Sequence, residues 1–199
     1  MKTPQRTVLL ALLGALAVLP ACTTNTQGDD ANPVFLTAEF SLAPLQKVVN
    51  DGTVLQIPTI TLKNRSKGAA PATTQFLDIQ CDSYTVVWTR IDGGKTASPP
   101  QPFGCNVIIP FNSQSTLNNF PVMSAANLIV SPLDRLFPFN GSLDPETGKA
   151  EIRQTATVTY YGHLLSGQAI ASIPATLDMI FIYVPRAGRA ETSRVSRGR

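Results

Sequence analysis

Apolar residues recur with a period of two along much of this chain. Tyr84, Val86 and Trp88 alternate with Thr85 and Thr89, and Ile152, Ala156, Val158 and Tyr160 alternate with Arg153, Thr155, Thr157 and Thr159. That spacing places successive side chains on opposite faces and marks strands with one buried and one wet face. Segments rich in Val, Ile, Thr, Tyr and Phe predict strands over 34–42, 54–62, 82–91, 106–111, 115–123, 151–161 and 169–184, with Gly, Pro, Asn, Asp and Ser in the breaks. The best helical candidate, Ser124 to Phe137, is interrupted by Pro132 and has room only for one or two short turns. About seven or eight strands at these spacings predict an all-β, antiparallel β-sandwich. Met179 to Val184 is apolar on both faces. Either it is a central strand covered on its second face by Ser124 to Phe139, or that face meets a partner, and the first is preferred.

The N-terminus follows a different pattern. Lys2 and Arg6 precede eleven apolar or small residues, Val8 to Val18, which predicts a secretory signal peptide over residues 1–21. The run is too short for a permanent span, since a bilayer core of about 30 Å takes about 20 apolar residues. Leu19-Pro20-Ala21-Cys22 resembles the lipobox of bacterial lipoproteins. The resemblance implies that Cys22 carries a diacylglycerol and becomes the first mature residue; ordinary signal cleavage is the alternative. Two or three acyl chains at about 0.8 kcal/mol per buried CH₂ anchor a protein stably. Thr23 after the cysteine, with no Asp there, implies by the sorting rules of such lipoproteins the outer membrane of a diderm cell envelope. The polar residues after it, to Asn32, read as a tether with an r.m.s. reach of about 18 Å, so the expected organisation is a lipidated tether over 22–32 and a sandwich domain over 33–185.

Charge sharpens that division. Of 199 residues, 16 are Lys or Arg and 13 are Asp or Glu, giving +3 overall. Residues 31–185 hold nine bases against ten acids, whereas 186–199 hold Arg186, Arg189, Arg194, Arg197 and Arg199 against Glu191. The last segment reads as a disordered basic tail, either simply solvated or touching anionic lipid or an acidic partner. An exported, slightly acidic domain is a poor candidate for nucleic acid. A single His and few acids leave little material for catalysis or zinc binding, so no catalytic residue, metal, cofactor or small-molecule substrate is assigned.

The three cysteines divide as one plus two. Asp92-Gly93-Gly94 follows the strand ending at Ile91 and supplies the positive φ angles that a chain reversal requires. Cys81 and Cys105 are equidistant from Gly93, so a reversal centred there sets them directly opposite, within disulfide range. With Cys22 lipidated, an exported chain keeps this even pair in an oxidising space. Pro99, Pro100 and Pro102 oppose strict register, because proline cannot donate to a ladder.

Other residues yield structural readings. Trp88 could stack on a sugar, but its place in the apolar stripe makes it core. His163 reads as an exposed residue of the Gly162 to Gln168 turn with no acidic neighbour, and no Gly-x-Ser-x-Gly elbow is present. Asp144-Pro145-Glu146-Thr147-Gly148 reads as a turn, and two carboxylates fall short of the six to eight oxygens that Ca²⁺ takes. Asn64 and Asn140 head formal glycosylation sequons that a bacterial lipoprotein would not use.

Tyr84-x-Val86-x-Trp88-x-Arg90 before Asp92 to Gly94, with Tyr160-Tyr161-Gly162 and Gly167 before a closing apolar strand, resembles a loose group of uncharacterised bacterial envelope lipoproteins with an immunoglobulin-like sandwich. The resemblance runs from about Asp82 to Val184. It implies fold and envelope location and supplies no catalytic residue. The expected function is a non-enzymatic binding or assembly module, anchored to the membrane and meeting an envelope protein partner. The alternatives are an accessory lipoprotein of a secretion apparatus, or a carbohydrate-binding or hydrolytic module using Asp78, Asp82 and Asp178.

Overall fold

The structure, a computed structural model, describes residues 32–40, 45–69 and 76–185. The predicted signal peptide, Cys22, the tether up to residue 31 and the basic tail lie outside the described residues. Among the described residues nine strands form: β1 (Val34–Phe40), β2 (Leu45–Val48), β3 (Leu55–Ser66), β4 (Ile79–Arg90), β5 (Gln101–Ile109), β6 (Gln114–Met123), β7 (Glu151–Leu164), β8 (Ala169–Ala171) and β9 (Ala175–Ile182). They make two sheets. The smaller has the order β1-β3-β6; the larger has the order β2-β9-β7-β4-β5, with β8 also paired to β7. The mostly β, two-sheet architecture read from the periodicity is present.

The period-two pattern decides which residues meet between the sheets. Leu36, Ile57, Ile60 and Leu62 from the smaller sheet and Tyr84, Val86, Val158, Tyr160 and Phe181 from the larger are buried in one core. Each fully buried side chain of this size contributes about 1.5–3 kcal/mol through the area it removes from water. Tyr84 crosses the interface: its ring lies 4.2 Å from that of Phe120, and its hydroxyl donates to the Pro121 carbonyl at 2.6 Å. A fully buried Asn64 donates from Nδ2 to the carbonyls of Leu77 and Ile109 at 2.8 and 3.2 Å. It satisfies two carbonyls at the ends of neighbouring segments, groups that would be costly to bury unpaired.

Three expectations are corrected. Strand β2 was not foreseen, because four residues containing Lys47 carry almost no periodic signal; its pairing with β9 is parallel, whereas the other strand ladders are antiparallel. The segment 169–184 is two strands. β8 and β9 follow one another along the same edge of β7, interrupted where Ser172 and Ile173 turn toward β1 and Ile173 donates to the Leu36 carbonyl at 2.9 Å. Pro174 cannot donate to the ladder there.

The third correction concerns the segment before β7, which makes three short 3₁₀ turns, Ala125–Ile129, Leu133–Leu136 and Pro138–Asn140. β9 is interior to the larger sheet, as preferred, but these turns do not cover its second face. They send Leu128, Leu133 and Leu136 into the same core as Met179 and Phe181, while Ile180 and Ile182 on the other face stay partly exposed. Phe137 closes the end of the core against Tyr183, ring centroids 5.3 Å apart. Beside it, Asn50 clasps the end of β9: its Nδ2 donates to the Val184 carbonyl at 2.8 Å and its Oδ1 accepts the Val184 N–H at 3.3 Å.

Candidate functional site

Two constellations of polar side chains stand out, one at each end of β4. The first is built on an irregularity. From Ser83 to Val86, β4 pairs with β5 in one register, Tyr84 opposite Phe103; before it, Cys81 is opposite Val107. Against β7 the shift runs the other way, Cys81 opposite Gly162 and Ser83 opposite Tyr161, so Asp82 is an extra residue. Such a bulge bends the strand and re-aims the side chain. The Asp82 carboxylate swings out to His163 Nδ1, 2.8 Å away, with both side chains about half exposed. His163 therefore belongs to β7 rather than to a turn, and it does have an acidic neighbour. Gly162 permits the bulge: a Cβ there would lie 2.1 Å from the Gln80 carbonyl oxygen.

The bulge also corrects the cysteine register. Cys81 is opposite Val107, two places from the position that a symmetrical reversal at Gly93 predicted, and both cysteines are free thiols. They are nevertheless neighbours. A hydrogen bond with Cys105, together with burial, pushes the Cys81 thiol far above its ordinary range, while Cys105, the other partner in that bond, is pulled below its own. Cys81 is buried and Asp82 exposed, as adjacent strand residues point to opposite faces. The thiols thus lie on the core side and the His163–Asp82 pair on the solvent side, so these residues do not assemble a nucleophilic triad.

The second constellation lies where β4 ends and β7 begins. The Arg90 guanidinium, 2% exposed, bonds Asp92 through Nε at 2.7 Å and Nη2 at 2.9 Å, and the wholly buried Asp144 through Nη2 at 2.7 Å. Arg135 joins Asp144 at 3.2 Å and Glu146 at 2.7 Å. Glu146 also accepts from the backbone N–H groups of Lys95 and Thr96 and from the Thr96 hydroxyl. Burial raises both Asp92 and Asp144, but their hydrogen bonds, led by those from Arg90, outweigh it and hold each carboxyl below its ordinary range. Arg135 and Thr96 likewise lower Glu146. Gly93 takes φ +94° and Gly148 φ +69°, so both expected turns form, and the arginines tie them to each other. The Asp144 and Glu146 carboxylates are consumed by this network, leaving no carboxylate set for a cation.

The three acids of the hydrolytic alternative are dispersed. Asp78 accepts the Phe111 N–H at 2.8 Å, Asp82 faces His163, and Asp178 accepts the Thr155 hydroxyl at 2.6 Å. Asp178 is opposite Thr155 on β7, far along that strand from Gly162, which lies opposite Cys81. Trp88, read as core, is 4% exposed and meets Phe181 edge-on at 5.7 Å. Among the described residues no helix is long and apolar enough to cross a membrane, and no group of three or more His, Cys, Asp and Glu side chains could hold a metal ion.

No family model matches this chain, and no curated protein sequence does. A solved structure titled "X-ray structure of Northeast Structural Genomics Consortium target SoR45" is similar at 12% identity with a TM-score of 0.36, over 80% of this chain and 93% of that one.

Proposed function

We propose that this protein is a lipid-anchored bacterial envelope lipoprotein whose immunoglobulin-like sandwich serves as a non-enzymatic binding or assembly module. The observation that carries the reading is the N-terminal order: Lys2 and Arg6, the apolar run Val8 to Val18, then Leu19-Pro20-Ala21-Cys22. Asn32, the last residue of the expected tether, is held to the domain by Nδ2 bonded to the Ala169 carbonyl at 3.0 Å. The conspicuous buried charges support it too, because each is engaged in holding loops. The test is metabolic labelling with a palmitate analogue in a diderm host. Label and membrane-fraction recovery in the wild type, both lost in Cys22→Ser, are expected; an unlabelled, freely soluble mature chain overturns the reading.

In an exporting compartment the neighbouring Cys81 and Cys105 thiols give up two protons and two electrons to its oxidants and join as a disulfide, stabilising by about 3 kcal/mol. Thiol titration of the unreduced, denatured mature protein is expected to find neither of them reactive, and two reactive thiols would rule the bridge out. A second reading, an accessory lipoprotein of a secretion apparatus, is favoured by one observation: β5 is at the edge of its sheet, with β4 as its ladder neighbour among the described residues and Ile108 51% exposed, although the Ser115 hydroxyl already occupies the Ile108 carbonyl at 2.9 Å. An open edge offers N–H and C=O groups to a strand from another chain.

A further inference from the structure

Around the Asp82 bulge the outer face of the larger sheet has a chemistry of its own. Directly opposed strand residues share a face, so Tyr161 stands with Ser83 of β4 on one side and Ala171 of β8 on the other, and Gly104 of β5 follows beyond Ser83. The Tyr161 side chain, 43% exposed, thus rises from a floor of small residues. One row along, Gln80 is opposite both His163 of β7 and Ile108 of β5, and Ile108 is 51% exposed. Between the two rows the bulge brings Asp82 to His163 and sets Cys105 and Asn106 against it. Bulges gather beside functional sites because they re-aim a side chain from a rigid strand.

Free bonding capacity separates this constellation from the Arg90 network. Asp82 bonds His163 Nδ1 through Oδ2, and Asn106 accepts from Gln80 Nε2 through Oδ1 at 3.0 Å. Asp82 Oδ1, His163 Nε2, Asn106 Nδ2 and the Tyr161 hydroxyl are therefore left without a protein partner among the described residues. The charge here is also one-sided. Residues 79–85 of β4, all of β5, residues 160–164 of β7 and all of β8 contain Asp82 and no Lys or Arg. A phosphate, a nucleic acid or an acidic peptide would meet a carboxylate on these strands and no base to answer its charge.

We infer that this face binds a neutral glycan chain of N-acetylhexosamine units, with one sugar ring stacked on Tyr161, its hydroxyls on Asp82, and an acetamido group between Asn106 and Ile108. The C–H groups of a sugar ring, polarised by its oxygens, are attracted to the negative face of an aromatic ring. Sugar hydroxyls donate to a carboxylate in charge-assisted bonds, stronger than those between neutral groups. Asn106 Nδ2 supplies a donor for the acetamido carbonyl, and the exposed Ile108 side chain an apolar contact for its methyl group. An open platform suits a polymer whose successive rings add contacts, whereas a small molecule is held by enclosure. The inference rests on reading the sandwich as a binding module, and it names the ligand class of that module.

The test uses the chain from Thr23 to Arg199, which has no lipidation site and keeps every described residue, all within the compact unit Asn32–Arg199. His163 is the only histidine of the protein, so its ring resonances in NMR spectra report on this face alone. Titration with chitohexaose, a β-linked N-acetylglucosamine oligomer, should shift them saturably. Cellohexaose, with hydroxyls in place of the acetamido groups, should bind about tenfold more weakly. Tyr161→Ala and Asp82→Asn should each weaken chitohexaose binding about tenfold, Tyr161→Phe by less than about threefold, and Asp178→Asn, near the opposite end of β7, not at all. Absence of saturable shifts, equal affinity for the two oligomers, or indifference to Tyr161→Ala or Asp82→Asn overturns the proposal. Such a failure leaves the lipid anchor untouched, since palmitate labelling at Cys22 is read separately. An unchanged thermal transition in the variants shows that the losses arise at the surface.

Discussion

Arg90 shows how much one residue can be asked to hold. Its guanidinium neutralises Asp92 and Asp144, two carboxylates with almost no exposure. Removing one partner of a buried pair leaves an uncompensated charge, so Arg90→Ala should cost about 3 kcal/mol, read from urea denaturation. The pH dependence follows in sign. Asp92 and Asp144 have folded pKa values below the unfolded value of about 3.9, so their contribution is complete above that value and is lost as pH falls through the folded pKa values. Wild-type stability should therefore drop steeply below about pH 4, and Arg90→Ala should flatten that limb. Gly162 is the second such position. Gly162→Ala must displace the Gln80 carbonyl and the bulge with it, costing about 3 kcal/mol and shifting the His163 ring resonances in NMR spectra, whereas Gly68→Ala meets open space and should be neutral.

Among elements, strands with a buried stripe and the antiparallel hairpin of β4 with β5 were legible, whereas its register and the other pairings were not. Tyr84, Val86 and Trp88 are buried as their alternation requires. On the other side of Asp82 the buried residues are Ile79 and Cys81, so the pattern changes phase at the bulge. A reading that counts symmetrically from Gly93 places Cys81 against Cys105, but Ser83 is opposite Gly104, already one place off, and β5 holds Cys105 and Asn106 where β4 holds Asp82 alone, which carries Cys81 on to Val107. His163 and Asp82 are 81 positions apart, and only the register of β4 with β7 brings them together. The Arg90 network was hidden for the same reason: Arg90 and Asp92 are two positions apart, but Asp144 arrives from a turn 54 residues away. In β9 the apolar run concealed two different faces. Met179→Ala should cost about 2–5 kcal/mol, as for a fully buried side chain, while Ile180→Ser should cost less than about 1, and parallel urea curves would separate them.

At the scale of the molecule, the larger sheet is ordered so that early and late parts of the chain are neighbours. β9 sits between β7 and β2, and Asn50 holds Val184 across 134 positions. Ending the chain at Ile173 deletes β9 and should abolish the cooperative thermal transition; ending it at Pro185 should leave the midpoint within about 2 °C, since every core residue remains. The clasp also orders events in time. A chain threaded N-terminus first through a translocation pore cannot seat β2 until β9 has followed it. Contacts this distant in sequence close slowly, on a scale of milliseconds to seconds. On the export route proposed above, the polypeptide would thus be kept unfinished by its topology, completing its fold only once the last strand has emerged.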